Sequence, residues 1–187
     1  MNWITSFGGT RRWLAALMIL GLASTVNGAV FAKYDGVDGE SKDSNHDKWI
    51  DVLSIDWGMY NPVNTSGAGG GERISGGVNF DDLSMTKYID KSTPALMTSC
   101  ASGTVFGTVE LSLTRTGTGG ETQTYMKITM TDVIITSIST GGSGGEDRIT
   151  ENVTLNFTRI KVDYSTLPDG RPSGVEPFTW DVVQNTP

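Results

Sequence analysis

The chain has one cysteine, Cys100, and one histidine, His46, among 187 residues. A single thiol excludes an internal disulfide framework and any multi-cysteine metal centre. A single histidine means that a Ser-His-Asp or Cys-His arrangement must pass through His46 or not exist. Positive charge is also scarce, with 14 basic residues against 21 acidic ones and a formal charge of −7. An acidic surface releases no counterions from nucleic acid or anionic lipid, so neither is an expected partner. Long apolar runs are nearly missing as well. The main one, WLAALMILGLA at 13–23, is too short to cross a bilayer comfortably, and no polar residues punctuate it as an amphipathic helix requires.

That run has the layout of a secretory signal. Arg11 and Arg12 supply the positive region before it, and STVNGA follows, with Val26 and Gly28 at the −3 and −1 positions of a cleavage before Ala29. Residues 1–28 are therefore read as a signal peptide and 29–187 as one domain, long enough to bury a core. Without Arg11 and Arg12 the formal charge of that domain is −9, which favours solubility.

The dominant positive signal is period two. TVELSLT places Val109, Leu111 and Leu113 on one face, YMKITMT does the same with Met126, Ile128 and Met130, and NVTLNFT with Val153, Leu155 and Phe157. Two of these runs change parity, Met130 giving way to Val133 and Ile135, and Phe157 to Ile160, Val162 and Tyr164. Such a slip turns the core face outward unless an extra residue is absorbed, so bulges are expected near Asp132 and Arg159. Further strands are expected at 30–36, 49–60, 82–89 and 176–183. One helix is marked: Thr93 as cap, Pro94 at the first helical position, good formers from Ala95 to Ala101, and Gly103 as the stop. The fold class is all-β, a compact two-sheet barrel with bulged strands and one short flanking helix. Residues 61–77, NPVNTSGAGGGERISGG, are too long and too rich in glycine for a tight hairpin and read as a protruding loop. Residues 167–174, LPDGRPSG, read as a turn.

The sharper chemical readings fail one by one. The glycine loop STGGSGGED continues after Gly145 with Glu146 and Asp147 and then a strand, where a phosphate loop needs lysine, a hydroxyl and a helix N-terminus. Asp43, Asn45 and Asp47 match the first ligand positions of a calcium loop, but Lys48 stands where glycine is needed and Ser54 where a bidentate carboxylate is needed. His46 lies in a charged loop and Cys100 at the end of the helix, and both read as structural. Asp81 and Asp82, taken as adjacent strand residues, point to opposite faces and cannot flank one glycosidic bond. Trp49, Trp57 and Trp180 read as core or interface aromatics. No cofactor, metal or small-molecule substrate is expected.

The succession GESKDSNHDKWIDVLSIDWGM (39–59), DLSMTKYIDKSTPALM (82–97) and STGGSGGEDRITENVTLNFTRIKVDY (139–164) strongly resembles the haemolysin-coregulated protein family, Hcp, of bacterial type VI secretion. The resemblance runs from about Val30 to Val183 and implies a β-barrel flanked by one helix. It also implies homo-hexameric rings that stack into a tube, a VgrG-type spike at its tip, a contractile sheath around it and small effectors in its lumen. Gly141, Gly142, Ser143, Gly144, Gly145, Glu146, Asp147 and Arg148 are then expected to form a subunit contact. The loop carrying Asn61, Gly69, Gly70, Gly71, Glu72 and Arg73 is expected to reach the adjacent ring, with Arg73 and Arg148 as ion-pair partners. With Pro187 as the last residue, a plain tube subunit without a fused toxin is expected.

One feature departs from the family pattern, because tube proteins assemble in the cytoplasm and normally carry no signal peptide. Two readings stay open. Translation starts near Met18 or later and the protein is an ordinary secreted tube subunit, or the leader is used and the chain is a periplasmic or generally exported ring-forming or binding module.

Overall fold

A computed structural model describes residues 28–65, 73–116, 122–145, 147–166 and 174–187. The expected signal peptide, Gly69 to Glu72, Glu146 and most of the 167–174 turn lie outside the described residues.

Among the described residues, twelve strands and one helix follow in the order β1 Ala29–Tyr34, β2 Ile50–Asp56, β3 Met59–Tyr60, β4 Val63–Thr65, β5 Arg73–Ser75, β6 Asn79–Phe80, β7 Leu83–Tyr88, α1 Thr93–Ser102, β8 Val105–Thr116, β9 Thr122–Gly141, β10 Thr150–Asn156, β11 Arg159–Thr166 and β12 Gly174–Asp181. The main sheet runs β10-β7-β2-β1-β8-β9-β11-β12, and β10 also pairs with β9. That extra pairing closes six strands into a barrel, which removes their free edges. β11 and β12 extend the wall along the first half of β9.

The barrel interior is filled by the period-two residues. Val109, Leu111, Ile128, Met130, Val133, Val153, Leu155 and Ile160 are fully buried, each contributing roughly 1.5–3 kcal/mol through removal of apolar surface from water. The expected parity changes occur and line up across three neighbouring strands, but the bulges expected near Asp132 and Arg159 do not form, because each strand carries the same number of extra residues there and the register is kept. Gly107 and Asp132 fill the gap between the pairs Phe106↔Val133 and Thr108↔Thr131. Phe157 and Thr158 fill the gap between Asn156↔Ile134 and Arg159↔Thr131, opposite Asp132 and Val133, and Thr158 donates its N–H to the Thr131 carbonyl at 3.1 Å. Asp132 has φ 51°, a left-handed conformation that turns the strand. The strands therefore bend together along one line, and their hydrophobic faces stay inside on both sides of it. The register does slip by one residue at three other places, leaving Leu53 of β2, Tyr125 of β9 and Thr136 of β9 as the extra residues.

The helix begins one residue earlier than its expected cap. Ser92 is the N-cap, and Thr93 and Pro94 fall in the first turn. The Thr93 hydroxyl is occupied elsewhere, donating to Glu151 at 2.8 Å and accepting from the Asp90 N–H. Gly103, φ 66°, ends the helix in the left-handed conformation, as its sequence position predicts. Residues 49–60 form two strands, interrupted at Trp57–Gly58. The described part of the segment 61–77 contains strands where the sequence predicts a loop. β3 pairs with β6 and β4 with β5, making a narrow hairpin arm.

Candidate functional site

The arm and the β9–β10 connection are two glycine-bearing segments that leave the barrel. The arm grows from the end of β2, where Trp57 packs against the core. Asp81 donates its N–H to the Gly58 carbonyl at 2.9 Å, and Gly76 donates to the Pro62 carbonyl at 2.9 Å. Met59, Tyr60 and Val63 are 52%, 59% and 56% exposed, so the arm's base carries three large apolar side chains with little cover from their own subunit. Exposed apolar groups grouped in this way mark contact surfaces. Sequence reasoning placed the contact in the glycine-rich tip and passed over these residues; their signal was an alternation broken by exposed methionine and tyrosine just before the glycines. Of the expected stacking residues, Asn61 lies in the arm and Arg73 in β5.

The β9–β10 connection is open at its tip and pinned at its foot. A Cβ added at Gly144 or Gly145 would meet no atom within 4 Å, although Gly145 has φ 118°, which side chains rarely adopt. At the foot, Gly142 lies against Ile149, Ile89 donates its N–H to the Ile149 carbonyl at 3.0 Å, and Thr150 donates its hydroxyl to the Gly141 carbonyl at 3.2 Å. The Arg148 guanidinium lies 4.2 Å from the centre of the Tyr88 ring, a cation–π contact. With Asp147 and Thr150 these two side chains line a cleft of about 350 Å³.

Behind that foot lies a buried ionic cluster. The Lys87 ammonium donates to Glu151 at 2.7 Å, to Asp90 at 2.9 Å and to the Tyr88 carbonyl at 2.9 Å, and Lys87 and Glu151 are fully enclosed. A buried charge of this kind is tolerable only when paired and hydrogen-bonded. Burial pushes the Asp90 carboxyl upward, but hydrogen bonds from Ser92 and Lys87 and the nearby ammonium outweigh it, leaving Asp90 below its ordinary value. Burial, and then the Glu151 charge, push the Tyr34 phenol far up, so it stays neutral. The cluster ties α1, β7 and β10 together directly under the β9–β10 connection.

His46 is not a solvated loop residue. It is 5% exposed, with its ring stacked 4.3 Å from that of Phe31 and edge-on to Trp49 at 5.0 Å. Its Nδ1 lies 2.8 Å from Asp43 Oδ1 and its Nε2 2.8 Å from Ser112 Oγ, which contacts Thr124 Oγ1 at 2.9 Å. Because a carboxylate only accepts, Nδ1 carries a proton, and in the neutral imidazole Nε2 then accepts from the Ser112 hydroxyl. The hydrogen bond from His46, aided by the Asn45 and His46 N–H groups and opposed by burial, holds Asp43 below the usual carboxylate range. The connectivity is that of a Ser-His-Asp relay, yet Ser112 is only 3% exposed, so an incoming carbonyl has no approach to its oxygen. The relay fastens the 35–49 loop to the outer face of β1 and β8. Asp81 and Asp82 lie between β6 and β7 rather than in a strand; Asp82 accepts from Thr136 at 3.0 Å and Asn156 at 2.7 Å, while Asp81 faces Gly58. Trp57 and Trp180 pack on the core.

A family profile described as "Type VI secretion system effector, Hcp" matches residues 31–164. The chain belongs to the Hcp family. It is 48% identical over 159 residues to Protein hcp1 of Pseudomonas aeruginosa, covering 83% of this chain and 96% of that one. Among solved Hcp-type structures, a type six secretion system protein superposes with a TM-score of 0.79 at 27% identity, covering 86% of this chain and 99% of the other. Hcp1 from Salmonella typhimurium gives 0.68 at 32% identity, covering 85% and 97%.

Proposed function

We propose that this chain is a structural subunit of the type VI secretion tube, assembling into hexameric rings that stack and leave the cell through type VI secretion. The observation that carries this reading is the family match across 31–164 together with 48% identity to an Hcp protein over nearly its whole length. The physical character of the subunit supports it: closing six strands leaves β12 as the outer edge of the main sheet, so contacts with other copies fall to that edge, to side-chain surfaces and to protruding segments. Gly141 to Arg148 form the contact within a ring, where the open glycines admit a neighbouring backbone. The arm from Asn61 to Gly77 reaches the next ring through its apolar base. A VgrG-type spike, a contractile sheath and small effectors in the lumen are the partners of this role. The role requires no catalysis, and His46→Ala is expected to loosen the 35–49 loop without abolishing assembly.

The test is the mass of the chain starting at Ala29, by light scattering after gel filtration with negative-stain images of the same fraction. Six-fold rings support the proposal, and a stable monomer at high concentration contradicts it.

The apolar run at 13–23 with its preceding arginines favours a second reading, an exported Hcp-like module detached from type VI secretion. N-terminal sequencing of the protein recovered from cells separates the two: a start at Ala29 indicates cleavage and export, and a start within residues 1–28 indicates cytoplasmic assembly.

A further inference from the structure

The arm has a bend built into its root. From Tyr60 to Val63 the outgoing strand advances three positions, and from Asn79 back to Ser75 the return takes four. One extra residue is therefore absorbed on the return strand. Gly77, with φ 88°, has the conformation that a glycine bulge uses, and bulges turn the strand that carries them.

The chain's last residues sit on that bulge. A Cβ at Gly77 would collide with the Asn185 amide nitrogen. Asn185 itself has φ 55°, and its side-chain carbonyl accepts from the Trp180 indole N–H at 3.3 Å. That bond fixes which way the amide is turned, aiming its nitrogen at the arm. The turn bearing Asn185 is firmly held. Asp181 and Thr186 exchange two backbone hydrogen bonds at 2.8 and 3.2 Å, and Asp181 accepts from the Gln184 N–H at 2.8 Å and from Arg159 at 2.7 Å. Val182 donates its N–H to the Thr158 carbonyl at 2.8 Å, which places the turn at the same corner where the barrel strands bend.

We propose that the C-terminal turn, residues 181–187, is a latch on the arm: Asn185 packs on the bulged Gly77 and sets the direction in which the arm leaves the barrel. Asn185 is a positioning residue, connecting the arm to the corner of the barrel through Trp180 and Asp181. The consequence for stacking rests on the reading of the arm as the ring-to-ring contact, whereas the latch itself does not. Anything that occupies the C-terminal turn would then act on the arm.

Hydrogen exchange of the full chain, wild type against Asn185→Gly, tests this. Glycine keeps the left-handed backbone at 185 and removes only the side chain. Exchange at Gly76 and Asp81, whose N–H groups close the arm's root, is expected to rise roughly five- to tenfold, while β8 amides stay unchanged. Asn185→Asp keeps the acceptor for Trp180 and removes the donor aimed at Gly77, so a rise there too locates the latch in that contact. Unchanged exchange at the arm root in both variants would overturn the proposal. Sedimentation of stacked rings is read alongside. A loosened root with shorter stacks supports both the latch and the arm's stacking role; a loosened root with normal stacks supports the latch and removes the stacking role.

Discussion

The arm and the β9–β10 connection are both rich in glycine, but the subunit uses those glycines differently. At the arm's root they are in contact, Gly76 against Pro62 and Gly77 against Asn185. At the tip of the β9–β10 connection, Gly144 and Gly145 have open space where a side chain would go. The first pair is explained within one chain. The second is not, and the space beside it is available to a neighbour. The foot of that connection, in contrast, is fixed by buried charge, while the root of the arm is fixed by neutral amide contacts. Glycine content alone thus does not distinguish a folded bend from a docking face.

The largest expected effect comes from breaking the foot of the β9–β10 connection. Glu151→Ala leaves the buried Lys87 ammonium with Asp90 as its remaining counter-charge, and should cost about 3–5 kcal/mol in chemical denaturation. Next is the root of the arm. Gly77→Val forces a branched side chain into φ 88° and against Asn185, an expected loss of about 1–3 kcal/mol, read as a lower melting temperature.

Acid offers a smaller and directional effect. The folded pKa of Asp90 lies below its ordinary value, so its contribution is full above the unfolded carboxylate pKa of about 3.9. It is lost as pH falls through the lowered folded value. Asp90→Asn should therefore flatten the acid side of the stability profile and leave the neutral side's slope unchanged.

Much of the barrel was legible because its signals are local. Alternation in β8, β9 and β10 named the buried residues, and the parity changes pointed to a break near Asp132 and Arg159, where the structure has a bend without a register slip. Proline at 94 and glycine at 103 bracketed the helix. What escaped was set by distant residues. Thr93 reads as a cap, but its hydroxyl is drawn to Glu151, 58 residues away. His46 reads as a structural residue in a charged loop, but its partners do not show in the sequence, because its burial depends on Ser112, 66 residues away, and on Phe31. The arm's ladders are only two and three residues long, too short for alternation to register, so a hairpin looked like a loop. For the candidate site, sequence indicated the glycines but not which of them have empty surroundings.

The smallest expected effect on stability belongs to Gly144→Val, within about 0.5 kcal/mol of wild type, because the added side chain enters open space and Gly144, unlike Gly145, has no positive φ. Its expected effect on assembly is large, and native mass spectrometry of this variant beside the wild-type chain is the most direct test of the account. Six-membered rings for the wild type and folded single chains for Gly144→Val are predicted. Intact rings from the variant would contradict the claim that the open glycines receive a neighbouring subunit.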